Sequence, residues 1–162
     1  MRRNSGFTAY ELAVTMAIVA VMATVTMPSF LSWLTAHRLR GAGINLMADI
    51  EMAKIRAIRE NTFVAVQFAA DKYEIFIDNG AGAGETGNGI RNSGERLLID
   101  RPFPSGVSIP LTELTLTNKR VRFTSRGLPA DPLNANPELI PLVNRAGRRD
   151  IWLNRLGRLW IQ

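Results

Sequence analysis

An α+β fold is predicted for this chain of 162 residues, with one long N-terminal α-helix packed on a C-terminal antiparallel β-sheet or β-sandwich head. Three observations predict it. From Leu12 to Ala36 no residue is charged, enough helix to cross a hydrocarbon core of about 30 Å at about 1.5 Å per residue. Helical spacing of apolar residues then continues to Ala57. After Asn61 the period drops to two, and short alternating stretches are separated by glycines and prolines.

The apolar run is preceded by Arg2-Arg3-Asn4-Ser5-Gly6 and Phe7-Thr8-Ala9-Tyr10-Glu11. A secretory signal peptide has a basic start and an apolar stretch of roughly 7–15 residues. This run is longer, and Glu11 interrupts the passage from basic to apolar. A plain single-pass anchor fits the length but gives no reason for Gly6-Phe7 or for an acid at the lip of the run. A carboxylate there is costly to bury unless it is paired. Ala13, Ala17, Ala20 and Thr24 recur at three- and four-residue steps. They read either as a small-residue face for close helix approach or as simple alanine abundance. Pro28 removes one helical hydrogen bond and is expected to kink or loosen the helix. Arg2 and Arg3 favour a cytoplasmic amino terminus, partly opposed by Arg38 and Arg40 at the far end.

Beyond the apolar run, Leu39, Gly43, Leu46, Ile50, Ala53 and Ala57 form one stripe, with most charges off it. The small members predict close packing against a sheet. Gly41 and Gly43 cost about 1 kcal/mol each relative to alanine inside a helix, and Asn61 reads as the terminator. Strands are expected over 62–68 and 72–77, joined by a turn at Ala70-Asp71, then over 96–100, 107–109, 120–124, 150–153 and 158–161. Asn79 to Gly94 reads as a mobile glycine-rich loop; no Gly-Lys-Ser/Thr ending follows it, so it does not fit a phosphate-binding loop.

Net charge is +6, and there is no cysteine. Lys119 to Gln162 holds nine basic residues against Asp131, Glu138 and Asp150. Arg145, Arg148, Arg149, Arg155 and Arg158 could meet phosphates, with Trp152 or Trp160 stacking on bases and Arg120, Arg122 and Arg126 extending the face. The alternatives are a solvated sheet face or contact with acidic partner proteins. With His37 the one histidine, no ordinary metal cluster or cysteine nucleophile exists, and no cofactor is implied. Asp49 and Glu51 do not face one another on a helix, and Asp71, Glu74 and Asp78 match no EF-hand spacing. No enzyme is predicted.

The segment Gly6-Phe7-Thr8-Ala9-Tyr10-Glu11-Leu12, with Pro28 further along, closely resembles the processing site of type IV prepilins. The resemblance implies that a membrane-embedded prepilin peptidase cuts between Gly6 and Phe7 and methylates the new amino terminus at Phe7. It further implies that Glu11 neutralises the terminal ammonium of a neighbouring subunit and so sets register. Three head segments resemble the GspH/FimT group of minor pilins and pseudopilins: the helix-to-sheet junction Ala53 to Val64, the turn Val121 to Pro129, and the closing Asn154 to Ile161.

The implied organisation is a leader over 1–6, a transmembrane assembly helix over 7–36, an amphipathic spine over 37–61 and a β-rich periplasmic head over 62–162. The implied role is a non-catalytic subunit that helps initiate or cap a type II secretion pseudopilus or a type IV pilus. Its partners would be the peptidase, other pilins or pseudopilins, and the bacterial inner membrane. It would cross that membrane once, amino terminus cytoplasmic, before joining the filament. The alternative is a DNA-binding minor pilin for natural transformation. Members that bind DNA tend to carry a Gly-Arg-x-Arg ending, and Gly157-Arg158-Leu159-Trp160 lacks the second arginine, which weakens that carry-over.

Overall fold

The computed structural model describes residues 8–82, 84–131 and 135–162. They form α1 (Ala9–Glu60), β1 (Phe63–Phe68), β2 (Lys72–Asp78), β3 (Leu97–Pro102), a short 3-10 turn (Thr117–Lys119), β4 (Arg120–Phe123), β5 (Glu138–Asn144), β6 (Gly147–Leu153) and β7 (Leu159–Ile161). The chain divides into two compact units, Met1–Leu34 and Thr35–Gln162.

Within the second unit the strands make two antiparallel sheets, in the orders β3-β2-β1-β4 and β5-β6-β7. The expected stripe on α1 is the face that folds inward: Leu39, Leu46, Ile50, Ala53 and Ala57 are all buried. They join one apolar core with Val64, Val66, Tyr73, Ile75, Val121 and Phe123 of the first sheet and Ile140, Leu142, Ile151 and Leu153 of the second. Gly43 shows why small residues were needed. A Cβ there would lie 2.7 Å from the Ile161 side chain, so Ile161 of β7 packs directly onto the helix at Gly43.

Asn61 ends α1 in the left-handed region, at φ 49°. The Asn61 and Thr62 amides donate back to the Ile58 and Ala57 carbonyls at 3.3 and 3.2 Å, the paired bonds of a Schellman ending. The β1–β2 hairpin turns at Ala70-Asp71 as expected, closed by Ala69 N–H to the Lys72 carbonyl at 2.9 Å.

Two strand expectations are corrected. Residues 107–109 form no strand; Ser108 makes only a single bridge to Val143. Pro104 and Pro110 flank this stretch, and Pro110 has no amide for a ladder. Val107 and Ile109 are nonetheless buried. Conversely, β5 lies outside the expected strands, with Pro141 in its middle. β5 is an edge strand in which Val143 donates outward to Ser108 at 2.9 Å. Pro141, two residues earlier on the same edge, needs no amide there.

The glycine-rich loop is tied down by carboxylates at its two ends. Buried Asp78 accepts from the Gly87 and Gly89 amides at 2.9 and 2.6 Å, and buried Glu95 accepts from Gly80 and Asn92 at 3.0 and 2.9 Å.

Candidate assembly site and basic surface

At the start of α1, Thr8 and Glu11 cap the helix reciprocally. The Thr8 amide and hydroxyl both donate to Glu11 Oε2 at 2.9 Å, and the Glu11 amide donates to Thr8 Oγ1 at 3.2 Å. This is a capping box, which satisfies amides that the first helical turn leaves open. Sequence reasoning missed Thr8, although a threonine three residues before a glutamate at the head of an apolar run is the recognised spacing. Gly6 and Phe7, the expected processing pair, lie outside the described residues.

Among the described residues from Thr8 to Trp33, none is buried within the chain. The helix is long and apolar enough to cross a membrane by length and composition. Four of its hydroxyls are returned to its own backbone: Thr15 donates to Leu12 O, Thr24 to Ala20 O, Thr26 to Met22 O and Ser32 to Ser29 O, at 2.8–2.9 Å. That removes much of the cost of placing them in hydrocarbon. α1 is assigned without a break through Pro28, which supplies no amide to the Thr24 carbonyl. Ala13, Ala17, Ala20 and Thr24 are exposed, as is every other described side chain from Thr8 to Trp33.

The five tail arginines do not form one cluster. Arg145, Arg148 and Arg149 lie at the β5–β6 end, whereas Arg155 and Arg158 lie in the turn after β6. Asp150, Ile151, Trp152 and Leu153 of β6 lie between the two groups, about 14 Å of strand at about 3.4 Å per residue. Arg148 is engaged by Glu113 and by Asp150, and these acids hold its pKa above the usual guanidinium value. Arg145, Arg149, Arg155 and Arg158 make no ion pair among the described residues.

The expected extension through β4 is also rearranged. β4 pairs with β1 and belongs to the other sheet. Arg122 Nε reaches both oxygens of Asp131, at 2.9 and 3.1 Å, which raises the arginine pKa against the opposing effect of burial. Arg120 donates to the Gly89 carbonyl at 3.0 Å. Neither Arg120 nor Arg126 makes an ion pair among the described residues.

Trp152 and Trp160 face each other across β6 and β7. Both are half-buried, on the side of the sheet opposite Ile151 and Leu153. They are a cross-strand pair rather than fully exposed stacking platforms.

The sequence profile of the family described as type II transport protein GspH matches residues 42–157. Two crystal forms of the type IV minor pilin FimU of Pseudomonas aeruginosa PAO1 share the fold. One has a TM-score of 0.58 at 15% identity, covering 80% of this chain and 92% of that one. The other has a TM-score of 0.53 at 14% identity, covering 76% and 91%. No curated protein sequence matches this chain. With its long helix, two-sheet head and a family match over 42–157, the chain belongs to the GspH family of minor pilins and pseudopilins.

Proposed function

We propose that this chain is a non-catalytic filament subunit, anchored in the inner membrane, that helps initiate or cap a type II secretion pseudopilus or a type IV pilus. The observation that carries this reading is the unburied apolar stretch of α1 in a chain whose head has its own packed core. An apolar surface of that length is stable in lipid or against neighbouring helices, and both are what a subunit moving from bilayer to filament needs.

In this reading the prepilin peptidase cuts between Gly6 and Phe7, and Phe7 becomes the methylated amino terminus. Glu11 pairs with the terminal ammonium of a neighbour and penalises every axial register that leaves it unpaired. Pro28 loosens the helix where it must adapt to its neighbours.

Two experiments test the reading. In cells containing the peptidase, mass spectrometry of the mature chain should begin at methylated Phe7; an intact Gly6-Phe7 bond refutes processing. Glu11→Ala should be processed yet fail to enter filaments, and normal incorporation refutes the register role.

The DNA-uptake reading has one supporting observation, the tail arginines that lack ion pairs. Those arginines lie in two groups, at the β5–β6 end and in the turn after β6. Arg148 and Arg122 are already engaged by Glu113, Asp150 and Asp131, which leaves fewer arginines for phosphates, so the structural role is preferred.

A further inference from the structure

Two turns of the head are built alike and lie side by side over the end of α1. In Thr124-Ser125-Arg126-Gly127-Leu128, the Thr124 hydroxyl accepts from the Arg126 and Leu128 amides, both at 3.3 Å. In Asn154-Arg155-Leu156-Gly157-Arg158, the Asn154 side chain accepts from the Leu156 and Arg158 amides at 3.0 and 2.9 Å. Each turn has its fourth residue a glycine at φ 74°, where other residues are strained. The glycines also permit contact. A Cβ on Gly157 would lie 3.0 Å from the Gly127 carbonyl, and one on Gly127 would lie 2.7 Å from the Ile58 side chain. Lys54 ties the second turn to the helix through its bond to the Gly157 carbonyl at 3.0 Å.

The pair of turns builds a surface that the head itself does not use. Ile55 and Ile58 on the helix remain 59% and 51% exposed, and Leu128 and Leu156 in the turns 41% and 76%. Isoleucine and leucine clustered in water are costly to leave open, and such clusters mark interaction sites. Arg59, Arg126, Arg155 and Arg158 rim this patch, and none makes an ion pair among the described residues. Beside it opens a cleft of about 590 Å³ with Phe63, Leu128 and Pro129 in its walls, wide enough for an anchoring side chain.

We propose that the twin-turn surface docks the head of a different filament subunit, one that presents aliphatic residues inside a rim of Asp and Glu. The proposal rests on the filament-subunit reading above and names the surface and the partner chemistry. Charge complementarity selects this occupant. A second copy docking through this same face would set arginine rim against arginine rim, and like charges at an interface are strongly disfavoured. A phosphate backbone would satisfy the arginines but leave the four aliphatic side chains without partners.

The test uses the full-length chain in cells that assemble the filament, with a benzophenone amino acid in place of Leu156 and, as control, in place of Ala146 in the β5–β6 turn. The expected adduct forms from position 156 and not from 146. It maps to aliphatic residues flanked by Asp or Glu on another filament subunit. Arg155→Glu with Arg158→Glu should reduce it about tenfold, and replacing the mapped acids by lysine should restore it in that variant. An adduct to a second copy, to nucleic acid or to lipid overturns the proposal, as does one indifferent to charge reversal or equal yields at 156 and 146. Cooperative thermal unfolding of each purified variant in detergent separates loss of docking from loss of fold. If the chain enters filaments but position 156 yields no such adduct, only this proposal fails. If the chain is never processed or incorporated, the filament-subunit reading fails.

Discussion

The phenol of Tyr73 on β2 donates its hydrogen bond to Asp49 of α1, and Arg101 of β3 reaches the same carboxylate oxygen at 3.1 Å. Spine, central strand and edge strand thus share one polar junction at the margin of the core. Burial first, and the bond to Asp49 second, push the Tyr73 pKa well above the ordinary tyrosine value. A raised pKa means the contribution to stability is complete below the unfolded value near 10 and is lost as pH rises through the folded value. Tyr73→Phe should cost about 1–3 kcal/mol, read as a lower thermal midpoint of the head at neutral pH. In a Tyr10→Phe background, leaving Tyr73 as the single tyrosine, phenolate absorbance should rise only as the head unfolds.

Asp78 gives a pH dependence in the acid range. Its pKa is raised, chiefly by burial and further by the neighbouring charge of Glu95, against the amides of Gly89 and Gly87 that favour the anion. The folded head therefore binds a proton here more readily than the unfolded chain. This group's contribution is full below the ordinary aspartate range, near pH 4, and is lost as pH rises through the raised value. Thermal midpoints measured from pH 3.5 to pH 7 should show the wild type's advantage over Asp78→Asn shrinking towards neutrality. An advantage that grows with pH would contradict the assignment.

The end of α1 tests the left-handed cap. Asn61→Ala places an unassisted Cβ at φ 49° and should cost about 1 kcal/mol. Asn61→Gly should be neutral or slightly stabilising. The ranking Gly, Asn, Ala in denaturant midpoint is the expected result.

Two glycines two positions apart should respond differently. A Cβ on Gly41 meets nothing within 4 Å, so Gly41→Ala should stabilise by about 0.5–1 kcal/mol through helix propensity. At Gly43 the same change must displace the Ile161 side chain, and the gain should shrink or reverse. Parallel thermal melts of the two variants decide it.

Local rules made much of this molecule legible. The stripe Leu39 to Ala57, the terminator Asn61 and the turn Ala70-Asp71 follow from periodicity and backbone preference, which act between near neighbours. Pro141 makes β5 hard to read locally, because a proline is excluded from central strands and tolerated on an edge. Which strand lies at an edge depends on long-range pairing. The arginine-rich tail misled for the same reason. Arg148 and Arg122 are engaged by Glu113 and Asp131, residues whose proximity is set by sheet topology.

The chain's local chemistry alone therefore specified a membrane-length helix with Glu11 at its lip, an amphipathic spine and a β-rich head. Each arises from burial and hydrogen bonding within a few residues. Tertiary structure decided where the charges go. It split the tail arginines into two groups along β6 and its flanking turns, neutralised two of those weighed for phosphate contact, and brought Gly127 against Gly157 over Ile58. Those outcomes depend on which strands pair and how closely a helix approaches them, and such contacts join residues far apart in the chain.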